Sequence, residues 1–142
     1  MTIATILSGR DQDIVSIPGD RPVRDAVAML ASRRIGAMPV MVGEDVAGIF
    51  SERDILYCLD RDGASVLDRP VREVMTAPAI TVTSEEGVLD ALALMTRRRI
   101  RHLPVVDDGR MIGFVSIGDL VKHRMDKIES EADAMRDYIR TA

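Results

Sequence analysis

The fold is decided by two stretches of this chain that resemble each other: RIGAMPVMVGEDVAGIFSERD at Arg34–Asp54 and RIRHLPVVDDGRMIGFVSIGD at Arg99–Asp119. They lie 65 positions apart. The same offset aligns Val15–Ile55 with Ile80–Leu120 over 41 positions without a gap, and 12 of those positions are identical. Because a fixed offset over so long an alignment indicates an internal duplication, we predict two copies of one structural unit.

The boundaries of the two copies follow from the alignment. A shift of 68 pairs two leading segments, Ile3–Leu7 and Val71–Met75, which implies a three-residue insertion near Gly9–Asp13. We therefore predict repeat 1 at 1–62, a polar connector at 63–70, repeat 2 at 71–124 and a C-terminal helix at 125–142.

Each copy begins with a pattern typical of a strand followed by a helix. Val15–Ile17 and Ile80–Val82 alternate apolar and polar side chains, the period of a half-buried strand. Asp20 and Ser84 are placed to cap the helices that follow. Both helices carry apolar side chains at the spacing of one buried face, namely Val23, Ala26, Val27 and Leu30 in copy one and Val88, Ala91, Leu92 and Met95 in copy two.

A hairpin and a second helix complete each copy. The hairpin strands are expected at Met38–Val42 with Val46–Phe50 and at Leu103–Val106 with Met111–Val115, joined by turns rich in Gly and Asp. A second helix begins at Ser51 or Ser116. The order β-α-β-β-α predicts an α/β (α+β) fold in which two units pack together, because one small sheet cannot cover both of its own faces.

The composition excludes several classes of protein. With 142 residues, 46% of them hydrophobic and 30% charged, the chain has the makeup of one folded domain. A net charge of −4 and an aromatic content of 3% argue against nucleic-acid binding. One cysteine, Cys58, provides neither a disulfide nor a zinc cluster, and no stretch has the pattern of a membrane span or a signal peptide. We expect a cytoplasmic protein without a metal site or a membrane partner.

The C-terminal region carries an apolar stripe at helical spacing, made of Val121, Met125, Ile128, Met135 and Ile139. Residues 122–142 also contain five basic and five acidic side chains, a balance that disfavours a basic membrane anchor. A free helix would leave this stripe in water. We therefore expect it to pack on a second subunit in a homodimer.

The duplicated phrases resemble those of the CBS (cystathionine-β-synthase) domain. The resemblance rests on Arg34–Val40 and Arg99–Val106, on the endings Gly48–Asp54 and Gly113–Asp119, and on their constant spacing. It extends over nearly the whole chain. It implies a Bateman module, in which two repeats related by a pseudo-twofold axis form two clefts for adenosine-containing ligands and the modules often dimerise.

The endings contain the strongest candidate site, the pattern G-h-h-S-x-x-D, where h is apolar. A carboxylate one turn into a helix can accept hydrogen bonds from two vicinal hydroxyls. The resemblance implies that Asp54 and Asp119 bind ribose, with Ser51 and Ser116 beside the sugar and phosphate. Ser-x-x-Asp is also nearly a capping box. The residues alone leave open whether the motif caps, binds, or does both.

The phosphate candidates differ between the copies. The resemblance implies that the residues before the second strand face phosphate, which points to Gly36 and Ala37 in copy one and to Arg101 and His102 in copy two. We expect each pair to serve the cleft of its own copy. Arginine offers a planar fork of donors, whereas glycine and alanine offer backbone N–H groups. The alternative is that Arg101 is a solvated surface side chain.

Two further sets of candidates depend on the resemblance. Arg53, inside the copy-one ending, resembles another phosphate contact, and Gly118 replaces it in copy two. Val15, Ile80 and Thr76 are implied to hold adenine. Core packing is the alternative for Val15 and Ile80, as solvation is for Arg53.

No catalytic set appears in the sequence. Phosphate-binding P-loop, nucleophile-elbow and His-x-x-x-His patterns are all missing. We therefore predict a regulatory module without enzyme activity and without a catalytic cofactor. It is expected to bind AMP, ADP, ATP or NAD(H) and to signal through its dimer or a regulated protein partner. The alternatives are a ligand-independent interaction or scaffold dimer and, less directly, a weak nucleotide-processing enzyme.

Overall fold

The computed structural model describes residues 1–9 and 13–141, so the predicted insertion near Gly9–Asp13 lies largely outside the described residues. The first half contains α1 (Ile3–Ser8), β1 (Ile17–Pro18), α2 (Val23–Arg33), β2 (Ala37–Val42), β3 (Asp45–Ser51) and α3 (Glu52–Asp62). Two 3₁₀ helices follow at Ala64–Asp68 and Val71–Glu73. The second half contains α4 (Val88–Arg98), β4 (His102–Asp107), β5 (Arg110–Ser116) and α5 (Ile117–Thr141).

The two hairpins have the same register, as the duplication predicts. β2 pairs antiparallel with β3 from Ala37–Ser51 to Val42–Asp45, and β4 pairs with β5 from His102–Ser116 to Asp107–Arg110. Both ladders shift register at equivalent positions, after Val40 and after Val105. The α/β (α+β) fold built from two copies is therefore confirmed.

The first strand of each copy is shorter than the alternation predicts. β1 covers only Ile17–Pro18 and pairs parallel with β2. In copy two the segment Ile80–Val82 makes one parallel bridge, between Val82 and Val105. The pairing is short because the chain turns after Val82, where Asp107 holds the backbone N–H and the hydroxyl of Ser84.

The predicted caps at Asp20 and Ser84 are wrong. α2 begins at Val23 after Pro22, and α4 begins at Val88 after Gly87, and neither helix has a side-chain cap. Backbone carbonyls satisfy the first amides instead. The N–H of Val23 donates to the carbonyl oxygen of Arg69 at 2.8 Å, and the N–H of Val88 donates to that of Met1 at 3.2 Å. Ser84 is unavailable because Asp107 binds it.

The leading segments are exchanged between the copies. Ile3 and Leu7 belong to the apolar core that contains α4, β4 and β5, whereas Val71 belongs to the core that contains α2, β2 and β3. The exchange is fixed by backbone hydrogen bonds, such as Ile3 N–H to the Glu86 oxygen and Val71 N–H to the Arg21 oxygen. Each core is therefore completed by residues that the sequence assigns to the other repeat.

The connector and the terminal helix are more regular than expected. The stretch 63–70 contains a 3₁₀ helix, and its Val66 is fully buried. The helix predicted at 125–142 is the continuation of the last helix of repeat 2, because α5 runs from Ile117 to Thr141. The beginning of α5 packs against α1 and α4 through Leu120, which is fully buried.

Candidate functional site

Two clefts of similar size lie between the copies. The Asp54 cleft has a volume of about 400 Å³ and is lined by Gly36, Ile49, Ser51, Glu52, Arg53, Asp54, Tyr57, Thr76, Pro78, Ala79, Ile80 and residues 99–102. The Asp119 cleft has a volume of about 380 Å³ and is lined by Leu7, residues 13–15 and 35–37, His102, Gly113, Phe114, Ser116 and Asp119. Both volumes lie within the range of small-molecule sites.

Every residue predicted to contact a ligand lines one of these clefts. The Asp54 cleft contains Ser51, Arg53, Asp54, Thr76, Ile80 and Arg101. The Asp119 cleft contains Val15, Ala37, Ser116 and Asp119. Gly36 and His102 line both clefts. Their geometry fits a binding role, and the ligand contacts themselves stay predictions.

The predicted pairing is wrong for Arg101 and Ala37, whereas His102 and Gly36 line the clefts of both copies. We expected Arg101 and His102 to serve the cleft of their own copy, together with Asp119. The structure instead brings Arg101 to Asp54, and it brings Ala37 to Asp119. The reason is that the two copies face each other. The end of the copy-one hairpin lies beside the beginning of the copy-two hairpin in the Asp54 cleft, and the converse holds in the Asp119 cleft.

The Asp54 carboxylate is held at both oxygens. Its Oδ2 accepts the backbone N–H of Ser51 at 2.8 Å and the Ser51 hydroxyl at 3.1 Å, and its Oδ1 accepts the Thr76 hydroxyl at 2.8 Å. The N–H of Asp54 donates to the Ser51 Oγ at 3.4 Å, which completes a capping box at the beginning of α3. Each carboxylate oxygen has more than one acceptor site. Capping therefore leaves Asp54 able to accept further hydrogen bonds.

The Asp119 carboxylate is positioned by the same motif. Its Oδ2 accepts the Ser116 N–H at 2.8 Å, and its own N–H donates to the Ser116 Oγ at 3.1 Å. The capping interpretation of Ser-x-x-Asp thus holds in both copies. It also orients each acid at a helix beginning, where backbone N–H groups favour an anionic ligand.

The two clefts differ in charge. The Asp54 cleft contains three arginines, Arg53, Arg99 and Arg101, against two acids, Glu52 and Asp54. Among the described residues that line it, the Asp119 cleft contains two acids, Asp13 and Asp119, and no arginine or lysine. Residues 10–12, which precede Asp13, lie outside the described part and carry one basic and one acidic side chain. Among the described residues, arginine forks suited to a phosphate chain therefore line the Asp54 cleft and not the Asp119 cleft.

His102 forms part of the wall between the clefts. Its ring stacks on the ring of Phe114, with centroids 5.5 Å apart and planes within 12°. Burial lowers the pKa of His102 below its usual 6.5, the charge of Arg101 adds to this, and Asp119 and Glu52 oppose it. The ring therefore favours its neutral form, which has one donor and one acceptor nitrogen.

Several lining residues were not found from the sequence. Tyr57 lies three positions after Asp54 on α3 and offers an exposed ring in that cleft. Arg99 directly follows α4 in the left-handed conformation at φ 55°, an uncommon state for a residue with a side chain. Arg97 and Arg98 lie in the last turn of this helix, where cations are favourable, and Arg99 after them lines the Asp54 cleft. Asp13 lies outside every motif, and Phe114 occupies an apolar position of the G-h-h-S-x-x-D pattern, to which the sequence assigned no ligand contact.

Three other features were tested in the described part of the chain. Cys58 is buried, and burial raises the pKa of its thiol, which disfavours the reactive thiolate. The described residues contain no group of three or more His, Cys, Asp or Glu side chains that would hold a metal ion. None of the described helices combines the length and the apolar content needed to cross a membrane.

Comparison with known proteins identifies the family. The model of the CBS domain matches residues 10–61 and 71–126. The chain is 42% identical over 125 residues to the CBS domain-containing protein CBSX3, mitochondrial, of Arabidopsis thaliana, a match that covers 84% of this chain and 61% of that protein. The chain thus spans about three fifths of the length of that relative.

Solved structures agree with this assignment. A structure of a protein with CBS domains from Burkholderia ambifaria superposes with a TM-score of 0.82 at 38% identity, covering 89% of this chain and 95% of that one. A structure of CBSX2 in complex with AMP superposes with a TM-score of 0.76 at 24% identity, covering 88% and 96%, and so shares the fold. The family model matches both repeats, and the overall architecture matches that of a solved CBS-domain protein. The chain therefore belongs to the CBS-domain family as a tandem pair.

Proposed function

We propose that this chain is a regulatory module that binds an adenosine-containing ligand with a 5′ phosphate in the Asp54 cleft. The observation that carries the proposal is the crossed grouping, in which each cleft combines residues from both repeats. It puts Arg53 and Arg101, from different repeats, into the same cleft as the oriented carboxylate of Asp54. A nucleotide needs a group that accepts hydrogen bonds from the ribose hydroxyls and, at the opposite end of the same site, a group that donates hydrogen bonds to the phosphate.

The proposed contacts follow from the chemistry of each wall. The ribose 2′ and 3′ hydroxyls donate to Asp54, whose orientation is fixed by Ser51 and Thr76. The phosphates accept hydrogen bonds from the guanidinium groups of Arg53 and Arg101. The adenine lies against the apolar surface of Ile80, beside the ring of Tyr57.

The Asp119 cleft has an equivalent carboxylate to accept hydrogen bonds from ribose hydroxyls, but its hydrogen-bond donors for a phosphate are weaker. Asp119 and Ser116 repeat the ribose geometry, and Val15 takes the position that corresponds to Ile80. Gly36 and Ala37 offer only backbone groups to a phosphate. We propose that this cleft binds adenosine compounds with a lower preference for long phosphate chains.

Binding would act on the rest of the molecule through α5. Asp119 lies in the first turn of this helix, whose far end extends past the core with apolar side chains exposed. A ligand shifts a conformational equilibrium only through its different affinities for two states. We propose that occupancy changes the presentation of α5 to a second subunit or a protein partner. No catalytic step is part of this proposal.

The test is a binding panel on the intact chain. AMP, ATP, NAD(H) and adenosine are compared by thermal shift and calorimetry, and a ligand at 100 times its Kd is expected to stabilise the protein by about 2.7 kcal/mol. In Asp54→Asn the amide oxygen still accepts the Ser51 N–H, so the cap is kept while the charge is lost. This variant should bind AMP at least tenfold more weakly at an unchanged melting temperature. Absence of binding by every compound would overturn the proposal.

The second candidate is a ligand-independent interaction protein. It is favoured by one observation, that hydrogen bonds within the chain itself complete capping boxes at both Ser-x-x-Asp motifs. In that case Asp54→Ala lowers the stability by about 1 kcal/mol and changes no nucleotide affinity. A cytoplasmic location also belongs to the proposal, and fractionation of the source cells tests it.

A further inference from the structure

We propose that α5, from Val121 onward, pairs in parallel with the same helix of a second copy, as a two-stranded coiled coil. The apolar positions follow a strict alternation of four and three residues: Val121, Met125, Ile128, Ala132, Met135 and Ile139. A repeat of 3.5 residues keeps one seam facing a partner helix, whereas an isolated surface helix follows a period of 3.6. The proposal does not depend on the proposed function.

The seam is exposed along its whole length in the single chain. The exposed fraction is 41% for Val121, 64% for Met125 and 65% for Ile139. With Val121 at heptad position d, the seam consists of the a and d positions, and two neighbouring residues of α5 that contact the rest of the chain fall at positions c and f. These are Leu120, which is fully buried, and His123, whose ring contacts the Met1 sulfur. These two contacts lie away from the seam, whose own side chains stay exposed from Val121 to Ile139.

The flanking charges favour a second copy in parallel. In a parallel pair each g position faces the e position of the next heptad on the partner. This brings Arg124 to Glu129 of the second copy, and Glu131 to Arg136 of the second copy. Both contacts join opposite charges, and the twofold symmetry makes each of them occur twice.

The antiparallel arrangement is opposed by the same charges. With full overlap of the seams, e positions face e positions and g positions face g positions. Glu129 would then meet Glu129 of the second copy, Glu131 would meet its own equivalent, and Lys122 would meet Arg136. All of these are like-charge contacts, which are destabilising.

Pairs within the helix do not prevent the parallel contact. Glu131 lies 4.0 Å from Lys127, and Arg136 lies 2.8 Å from Asp133. The acids and Arg136 in these pairs are more than half exposed, and such pairs contribute little. Their side chains can therefore turn toward a partner helix at small cost.

Cysteine cross-linking tests the seam and its direction. Ala132 lies at position a and Ala134 at position c, and both are exposed alanines of the same helix. In a parallel pair the two Ala132 positions lie about 6 Å apart, within the range of a disulfide. Under mild oxidation Ala132→Cys should form a covalent dimer at least tenfold faster than Ala134→Cys. The parent chain, with only the buried Cys58, is the control. Equal rates for the two variants would overturn the proposal.

Charge reversal gives an independent readout that does not depend on disulfide geometry. Glu129→Lys should weaken the dimer about threefold to tenfold by sedimentation, because two attractive contacts become repulsive. Adding Arg124→Glu should restore it. Lysine at 129 faces Asp126 and Asp133 within its own helix, so loss of helix is not the cause of dissociation. A monomer at tens of micromolar, or a double variant weaker than the single one, would contradict the proposal.

Discussion

The Thr76 hydroxyl donates a hydrogen bond of 2.8 Å to Oδ1 of Asp54, across 22 positions of sequence. The contact exists because the segment that leads into repeat 2 packs against repeat 1, where Thr76 also exchanges two backbone hydrogen bonds with Ile49. Ser8 corresponds to Thr76 in the alignment, but its hydroxyl donates to the carbonyl oxygen of Thr5. The exchanged segment therefore helps to orient the carboxylate of Asp54 through Thr76.

Removal of this hydroxyl should weaken binding in the Asp54 cleft. Thr76→Val keeps the shape of the side chain but leaves Oδ1 without its donor. We expect AMP affinity to fall about threefold to tenfold, because a hydrogen bond to a charged group contributes roughly 1.5–3 kcal/mol at most and solvent competes here. Calorimetry measures the change. Thr76→Ser retains the hydroxyl and should bind AMP as the parent does, and equal losses in both variants would contradict a positioning role.

Two equivalent glycines should differ in their tolerance of a methyl group. A Cβ at Gly48 would lie 2.6 Å from the Thr76 backbone oxygen and 2.7 Å from the Met75 sulfur. A Cβ at Gly113 would lie 2.6 Å and 2.9 Å from the two terminal methyl carbons of Leu7, the end of a flexible side chain. We expect Gly48→Ala to lower the free energy of unfolding by about 2–3 kcal/mol and Gly113→Ala by about 1 kcal/mol.

Denaturant unfolding of both variants tests this order. Gly36→Ala is the control, since its Cβ would meet nothing closer than 3.5 Å. Gly48→Ala should also weaken AMP binding, because it displaces the segment that carries Thr76. A larger loss of stability in Gly113→Ala than in Gly48→Ala would mean that the two leading segments are not held as the structure has them.

The sequence was sufficient for the repeated architecture because the signal is local. Hairpin register, the apolar faces of α2 and α4, and the capping boxes depend on neighbours a few residues away. The exchange of leading segments involves Ile3 and Val71, whose partners lie in the other copy, and no local pattern encodes that choice. The caps predicted at Asp20 and Ser84 failed for the same reason, since distant carbonyls replaced them.

The residues of the clefts were also found more easily than their grouping. The resemblance to the CBS domain selects the candidates, most of which lie in the two duplicated phrases, whereas Val15, Thr76 and Ile80 lie outside them. Which copy of Gly36 or Arg101 faces which acid depends on how the copies meet, and that is a property of packing between them. The duplication itself is compatible with either grouping.

The crossed grouping predicts that phosphate preference can be moved between the clefts. Arg101→Gly should lower the affinity of the Asp54 cleft for ATP at least tenfold and change adenosine affinity less, because only the phosphate loses a charged donor. Gly36→Arg should add a donor to the Asp119 cleft, by symmetry with Arg101. Space permits the new Cβ, whose nearest neighbour would be the Glu52 Oε1 at 3.5 Å.

Calorimetry in an Asp54→Asn background separates the two clefts. Gly36→Arg should then raise ATP affinity at the remaining site, and addition of Asp119→Asn should remove it. If Arg101→Gly keeps the full ATP affinity, Arg101 does not bind phosphate and is a solvated surface side chain, the alternative that the sequence left open.

His102 should make the stability of the unliganded protein depend on pH. Burial lowers its pKa in the folded state below 6.5, the neighbouring Arg101 adds to that effect, and Asp119 and Glu52 act against it. Below pH 6.5 the unfolded chain therefore binds more protons at this residue than the folded chain, so stability falls as the pH falls from 6.5 toward the folded pKa. His102→Gln cannot take up that proton. Between about pH 7.5 and about pH 5.5 its melting temperature should decrease less than that of the parent. Parallel pH profiles for the two proteins would show that the ring is protonated as readily in the folded wall between the clefts as in the unfolded chain.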